Sequence, residues 1–145
     1  MRKIFSLIAC LSISGAAFAI TNAAYGHGFV QVDDHVRAIF DFDVLSSGDR
    51  TAGYFRMRLA TGEETLHVVG LPAVQRASFL RNGAEFAGPG ILDGHRVGVR
   101  VRVFDGHGTD HLDNFEITCV GPDGHVALHL GGELAGGDIV VRHVR

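Results

Sequence analysis

The sequence predicts an all-β fold, a single antiparallel β-sandwich or flattened β-barrel of about 8–10 strands. Three observations carry that expectation. Apolar and polar residues alternate with a period of two in several separate stretches. Turn signals recur about every eight to twelve residues. No window shows the spacing of an amphipathic helix. The 20 glycines suit a chain of tight corners and bulges.

In chain order, residues 1–19 read as a secretory signal peptide. Arg2 and Lys3 form a basic start, Ile4 to Ala17 is an uncharged apolar and small-residue run, and Ala17-Phe18-Ala19 is a small-x-small cleavage site. Leu7-Ile8-Ala9-Cys10 also resembles a lipoprotein box, so lipidation at Cys10 is the competing reading. Cleavage after Ala19 leaves a chain of about 125 residues, enough for one domain with a proper core. An exported protein, periplasmic or extracellular, is the expectation, with no integral membrane segment after cleavage. The remaining chain carries 11 arginines and no lysine against 16 acidic residues, a net charge near −5. Such a balance disfavours nucleic acid as a partner. All nine histidines lie in this part, and as a set they make its surface charge pH-sensitive. Cys119 is then the single thiol, so no internal disulfide staples the domain, and its place among apolar neighbours makes it a buried small hydrophobe.

Residues 20–34 read as a flexible lead-in, Thr21 to His27, followed by a short first strand over Phe29 to Asp34. Residues 35–145 form the β domain. Val36, Ala38, Phe40, Phe42 and Val44 alternate with Arg37, Ile39, Asp41 and Asp43, the pattern of a half-buried strand. Ser46-Ser47-Gly48-Asp49 turns the chain into a return strand through Phe55, Met57 and Leu59. Two shorter strands flank Pro72, which cannot donate to a ladder and so marks a bend or an edge. Asn82-Gly83 makes a tight turn. Val97, Val99, Val101 and Val103 then alternate with Arg96, Gly98, Arg100 and Arg102 in the clearest strand of all. Phe115, Ile117 and Cys119 face the same way on the next, and Val126 to Val144 supplies the last strands. Asp41 and Asp43, Arg56 and Arg58, and Arg100 and Arg102 fall on polar faces. These read as cross-strand ion pairs, or as a polar barrel interior or an anion- or sugar-binding face if the arginines converge.

The loop Asp105 to Asp113 is the candidate site. Asp105, His107, Asp110, His111 and Asp113 place five ligand-type side chains in nine residues. Carboxylates with loop carbonyls suit Ca²⁺, and two histidines with a carboxylate suit Zn²⁺. The spacing is that of neither an EF-hand nor a zinc finger. The competing reading is a solvated loop whose aspartates bond nearby N–H groups. There is no Gly-x-Ser-x-Gly elbow, phosphate loop or His-Glu-x-x-His. The sequence therefore points to a non-catalytic binding or structural module with a cell-surface or protein partner. Metal binding through residues 105–113 is the alternative, and a small enzyme with its site inside a barrel the second.

From Val36 onward the chain resembles a family of small glycine-rich β modules found in bacterial secreted and cell-surface proteins. The resemblance rests on Gly53-Tyr54-Phe55, on Asp105 followed by Asp113-Asn114-Phe115, and on the run Gly132 to Ile139. It implies an accessory, non-catalytic domain. The family pattern has a Gly/Pro/Glu-type middle where this chain has His107, Asp110 and His111, so it says nothing about those side chains.

Overall fold

The computed structural model describes residues 20–143. The expected signal peptide, its cleavage at Ala19 and lipidation at Cys10 lie outside the described residues. Within them the chain forms nine strands and no helix. They are β1 (Asn22–Gln31), β2 (Val36–Ser47), β3 (Arg50–Thr61), β4 (Glu64–Leu71), β5 (Arg76–Phe79), β6 (Gly83–Leu92), β7 (His95–Phe104), β8 (Asn114–Val120) and β9 (Val126–His143).

Every pairing is antiparallel, and neighbours in sequence are neighbours in space. β4 and β5 lie along the same edge of β6: Val69 and Gly70 face Leu92 and Ile91, while Arg76 to Phe79 face Ala87 to Ala84. They act as one strand broken at Pro72, the bend that proline at this position predicts. The break leaves no donor stranded, because Val74 N–H reaches the Gly53 carbonyl and Gln75 N–H the Ala87 carbonyl, both at 2.9 Å. β1 pairs with β9 and closes the circle. The molecule is thus a closed up-and-down barrel with eight strand positions, the barrel limb of the sequence expectation.

The alternation predicted for β2, β3, β7 and β8 holds side chain by side chain. Val97, Val99, Val101 and Val103 point inward, as do Phe115, Ile117 and Cys119, while Arg96, Arg100 and Arg102 are exposed. Five phenylalanines fill the lumen. Phe115 stacks on Phe40 at 4.5 Å and on Phe55 at 5.8 Å, and Phe86 lies 5.4 Å from Phe42. Aromatic pairs at these spacings add stabilisation beyond the area they bury. Burial pushes the Cys119 thiol up to about 11, which makes it the inert small hydrophobe expected.

Two expectations are corrected here. The lead-in Thr21 to His27 is instead most of β1, paired on both edges. Its inward positions are Ala24, Gly26, Gly28 and Val30, and the first three give little apolar signal although the strand sits fully inside the sheet. Gly137 is needed at that seam: its φ is +96°, and a Cβ there would run into the His27 carbonyl and the Gly28 backbone. The Phe29 ring packs outside over Gly136, where a Cβ would come within 2.5 Å of it. Second, the lumen is lined by apolar side chains, against the polar barrel interior weighed as the competing reading of the charged faces. Ser46 is its buried polar residue among the described residues. The arginines do not converge, since β4 and β6 separate Arg56 and Arg58 on β3 from Arg100 and Arg102 on β7. Arg56 and Arg102 make cross-strand ion pairs of the kind read from the sequence. Arg56 Nε lies 2.6 Å from Asp41, and Arg102 lies 3.5 Å from Glu85 and 3.8 Å from Glu116.

Candidate functional site

An up-and-down barrel gathers alternate turns at each end. The β5–β6 turn (80–82), the β7–β8 loop (105–113) and the end of β9 meet at the base. The structure splits the five candidate ligands there into two groups. Asp105 and Asp113 turn toward the barrel. Asp113 Oδ1 accepts from Gly106 N–H at 2.7 Å, and its Oδ2 accepts from Ile139 N–H at 2.7 Å. Asp105 Oδ1 accepts from His107 N–H at 2.9 Å, and its Oδ2 from Val141 N–H at 3.0 Å. Both carboxylates therefore stitch the loop to β9, satisfying backbone donors that the sheet leaves open. His107, Asp110 and His111 are exposed. Among the described residues no group of three or more His, Cys, Asp or Glu side chains gathers in a way that could hold a metal ion.

Sequence reasoning missed Asp138, which joins the two stitching carboxylates. Partial desolvation, then a hydrogen bond to Asp113 and repulsion from Asp113 and Asp105, hold its carboxyl above the ordinary range. A raised folded-state value means that the native protein keeps this proton longer than the unfolded chain. Stability from this group therefore falls as pH rises through the carboxylate range, and the cost is complete above the raised value. Asp138→Asn should raise the neutral-pH stability by roughly 0.5 kcal/mol, the scale of an exposed charge interaction. Thermal melts should show that gain shrinking as the pH is lowered into the carboxylate range. An equal gain at every pH would mean that repulsion is not its source.

Elsewhere three histidines find side-chain partners. Asp93 Oδ2 lies 2.5 Å from His67 Nδ1 and its Oδ1 accepts from Val68 N–H at 2.8 Å. The His67 hydrogen bond first, and the backbone bond next, lower the Asp93 carboxyl. This contact fastens the β6–β7 turn to β4 beside the two-residue β4–β6 seam. His125 sits 3.1 Å from Asp123, and His129 bonds Thr118 at 2.9 Å.

The same stitched loop forms one wall of a groove of about 910 Å³ on the outer base of the barrel. Leu80 of the β5–β6 turn and Leu112 of the loop stand on opposite sides, 68% and 61% exposed. Phe104 lies in the floor, edge-on to the His111 ring at 6.5 Å, and Gly83 opposite it leaves the floor uncovered. Both walls are fixed from below. Asp105 N–H donates to the Asn82 carbonyl at 2.7 Å, and His143 Nε2 donates to the Arg81 carbonyl at 3.0 Å while its Nδ1 lies 2.6 Å from Asn22 Oδ1. Thr109 braces the loop from within through the Gly106 carbonyl, 2.7 Å from its hydroxyl. Two large apolar side chains held in water by such a frame do not serve the core. The one signal in the sequence was their position, since Leu80 and Leu112 break the polar character of two turns.

No protein-family model matches this chain, and neither a curated protein nor a solved structure does.

Proposed function

We propose that this protein is an exported, non-catalytic β-barrel binding module that takes its ligand in the groove between Leu80 and Leu112. The observation that carries the reading is the division of labour around residues 105–113. The blocks that resemble bacterial accessory modules serve the scaffold. Gly53, at φ +142°, leaves room beside the Asp43 carbonyl, Asp105 and Asp113 hold β9, and Gly136 and Gly137 let β1 close. Of the loop residues that depart from that pattern, His111 lines the groove, next to Leu112, and Asn114 and Glu133 from the resembling blocks line it too. Its volume falls within the range of small-molecule and peptide sites, about 300–1,000 Å³. The lumen, by contrast, is lined by buried apolar side chains.

The test uses 1-anilinonaphthalene-8-sulfonate, a probe whose fluorescence rises in apolar clefts. The native protein should enhance it in a saturable way. Leu112→Asp and Leu80→Asp should each weaken that binding about tenfold or more, because a buried carboxylate replaces apolar contact. Both are surface changes and should leave Tm near the wild-type value. Saturable binding that neither variant disturbs would place the site elsewhere. Export is tested separately, by the mass of the protein recovered outside the cytoplasm, which should lack residues 1–19.

A further inference from the structure

The charges around the groove are not evenly spread. Register places Glu85, Arg102 and Glu116 side by side on β6, β7 and β8. Arg102 lies between the two glutamates at 3.5 and 3.8 Å, so this row pairs its one guanidinium and keeps a net negative charge. The row below runs Gly83, Phe104, Asn114, Glu133 across β6 to β9. It is apolar in the middle and ends on a carboxylate. At its other end the β5–β6 turn presents Arg81. Neither the Arg81 guanidinium nor the Glu133 carboxylate has an ion-pair partner among the described residues. The groove is therefore a channel with one free positive end, one free negative end and leucine, phenylalanine and imidazole between. Three inter-strand steps, about 14 Å, separate Gly83 from Glu133, and Arg81 lies two residues before Gly83 in the turn.

From this arrangement we infer that the groove selects short, apolar oligopeptides with both termini free. The peptide's carboxylate pairs with Arg81, its ammonium pairs with Glu133, and an apolar side chain enters between Leu80 and Leu112. An extended chain advances about 3.3–3.6 Å per residue, so three or four residues bridge the ends. A longer chain overshoots one charge, and a fatty acid or an alkylamine satisfies only one. A guanidinium suits a carboxylate because its planar donors meet both oxygens. Apolar contact supplies attraction along the middle, while the two ends fix length and direction.

This inference rests on the groove reading above, and the experiment separates the two. The full chain is titrated calorimetrically with trileucine, with N-acetyl-trileucine amide and with dodecanoate, and each is also tested for displacement of anilinonaphthalene sulfonate. Trileucine should bind and displace the dye, and blocking both termini should weaken it at least tenfold. Arg81→Glu and Glu133→Lys should each weaken trileucine by a similar factor. The double variant should regain affinity to within about threefold of wild type, since the peptide can then lie the other way round. Equal affinity for blocked and free trileucine overturns the inference. So does dodecanoate binding as tightly as trileucine, or a double variant no better than either single one. Dye binding that stays sensitive to Leu112→Asp while no peptide displaces it overturns the ligand class and leaves the groove standing. Dye binding indifferent to Leu112→Asp brings down both.

Discussion

Phe115→Ala should lower the unfolding free energy by about 3–5 kcal/mol, the range for an aromatic ring removed from a packed core. Phe115 has no exposed surface, and its ring packs against those of Phe40 and Phe55. A closed barrel cannot collapse around the vacancy as an open sheet can, because β2, β3 and β8, which carry these three rings, are each held by ladders on both edges. The cost should therefore fall toward the upper end, with a fall in Tm of roughly 10–20 °C for a domain of this size. Phe115→Leu keeps most of the volume and should cost about 1–1.5 kcal/mol. Denaturant titration gives both values. Alkylation of Cys119, two residues along the same buried face, provides an independent readout by mass spectrometry of its peptide. It should be slow in the wild type and faster in Phe115→Ala. A loss below about 1 kcal/mol for the alanine variant would mean that the lumen is not packed as described.

Asp113→Ala should be the second severe change, costing about 2–4 kcal/mol. It leaves Gly106 N–H and Ile139 N–H without acceptors, and both residues are buried. An unsatisfied buried donor costs about 1–3 kcal/mol. Asp113→Asn keeps one acceptor oxygen and turns an amide toward the second donor, so it should fall between alanine and wild type. Amide hydrogen exchange should locate the damage at Ile139 and in residues 105–113, with β2 and β3 protected as before. A metal site built on the same carboxylates predicts something different. Ca²⁺ or Zn²⁺ would raise the wild-type Tm, since a ligand of the native state stabilises it, and Asp113→Ala would abolish the rise. The stitching role predicts a large loss in the variant with no ion added. An Asp113→Ala protein as stable as wild type in ion-free buffer would reverse the assignment.

The two predictions also mark where the sequence was and was not informative. Phe115 was legible as a core residue because it alternates with Asn114 and Glu116 on a strand with one wet face. The same held for the valines of β7 and the phenylalanines of β2. β1 was misread as a lead-in for the converse reason. Up to Val30 its inward face is Ala24, Gly26 and Gly28, residues that give no apolar period, and what makes it a strand is backbone pairing with β2 and β9. Asp113 was legible as a loop carboxylate with ligand chemistry. Its partner is the N–H of Ile139, 26 positions away, and no local pattern announces that. The groove was invisible on the same account: Leu80 and Leu112 belong to different turns and meet only through the β6–β7 register and the Asp105–Asn82 bond.

The sequence by itself determined that this chain is all-β, which residues of most strands face inward, where Pro72 breaks the ladder, and that Cys119 is buried. These follow from period-two burial and from the backbone limits of proline and glycine, which act within a few residues. Only the tertiary structure decided that the sheet closes into a barrel, that its lumen is filled by phenylalanine, that Asp105 and Asp113 hold β9, and that two leucines face each other across a charged-ended groove. Those depend on pairings between residues far apart in the chain, where the energy lies in which segments meet and not in the composition of either one.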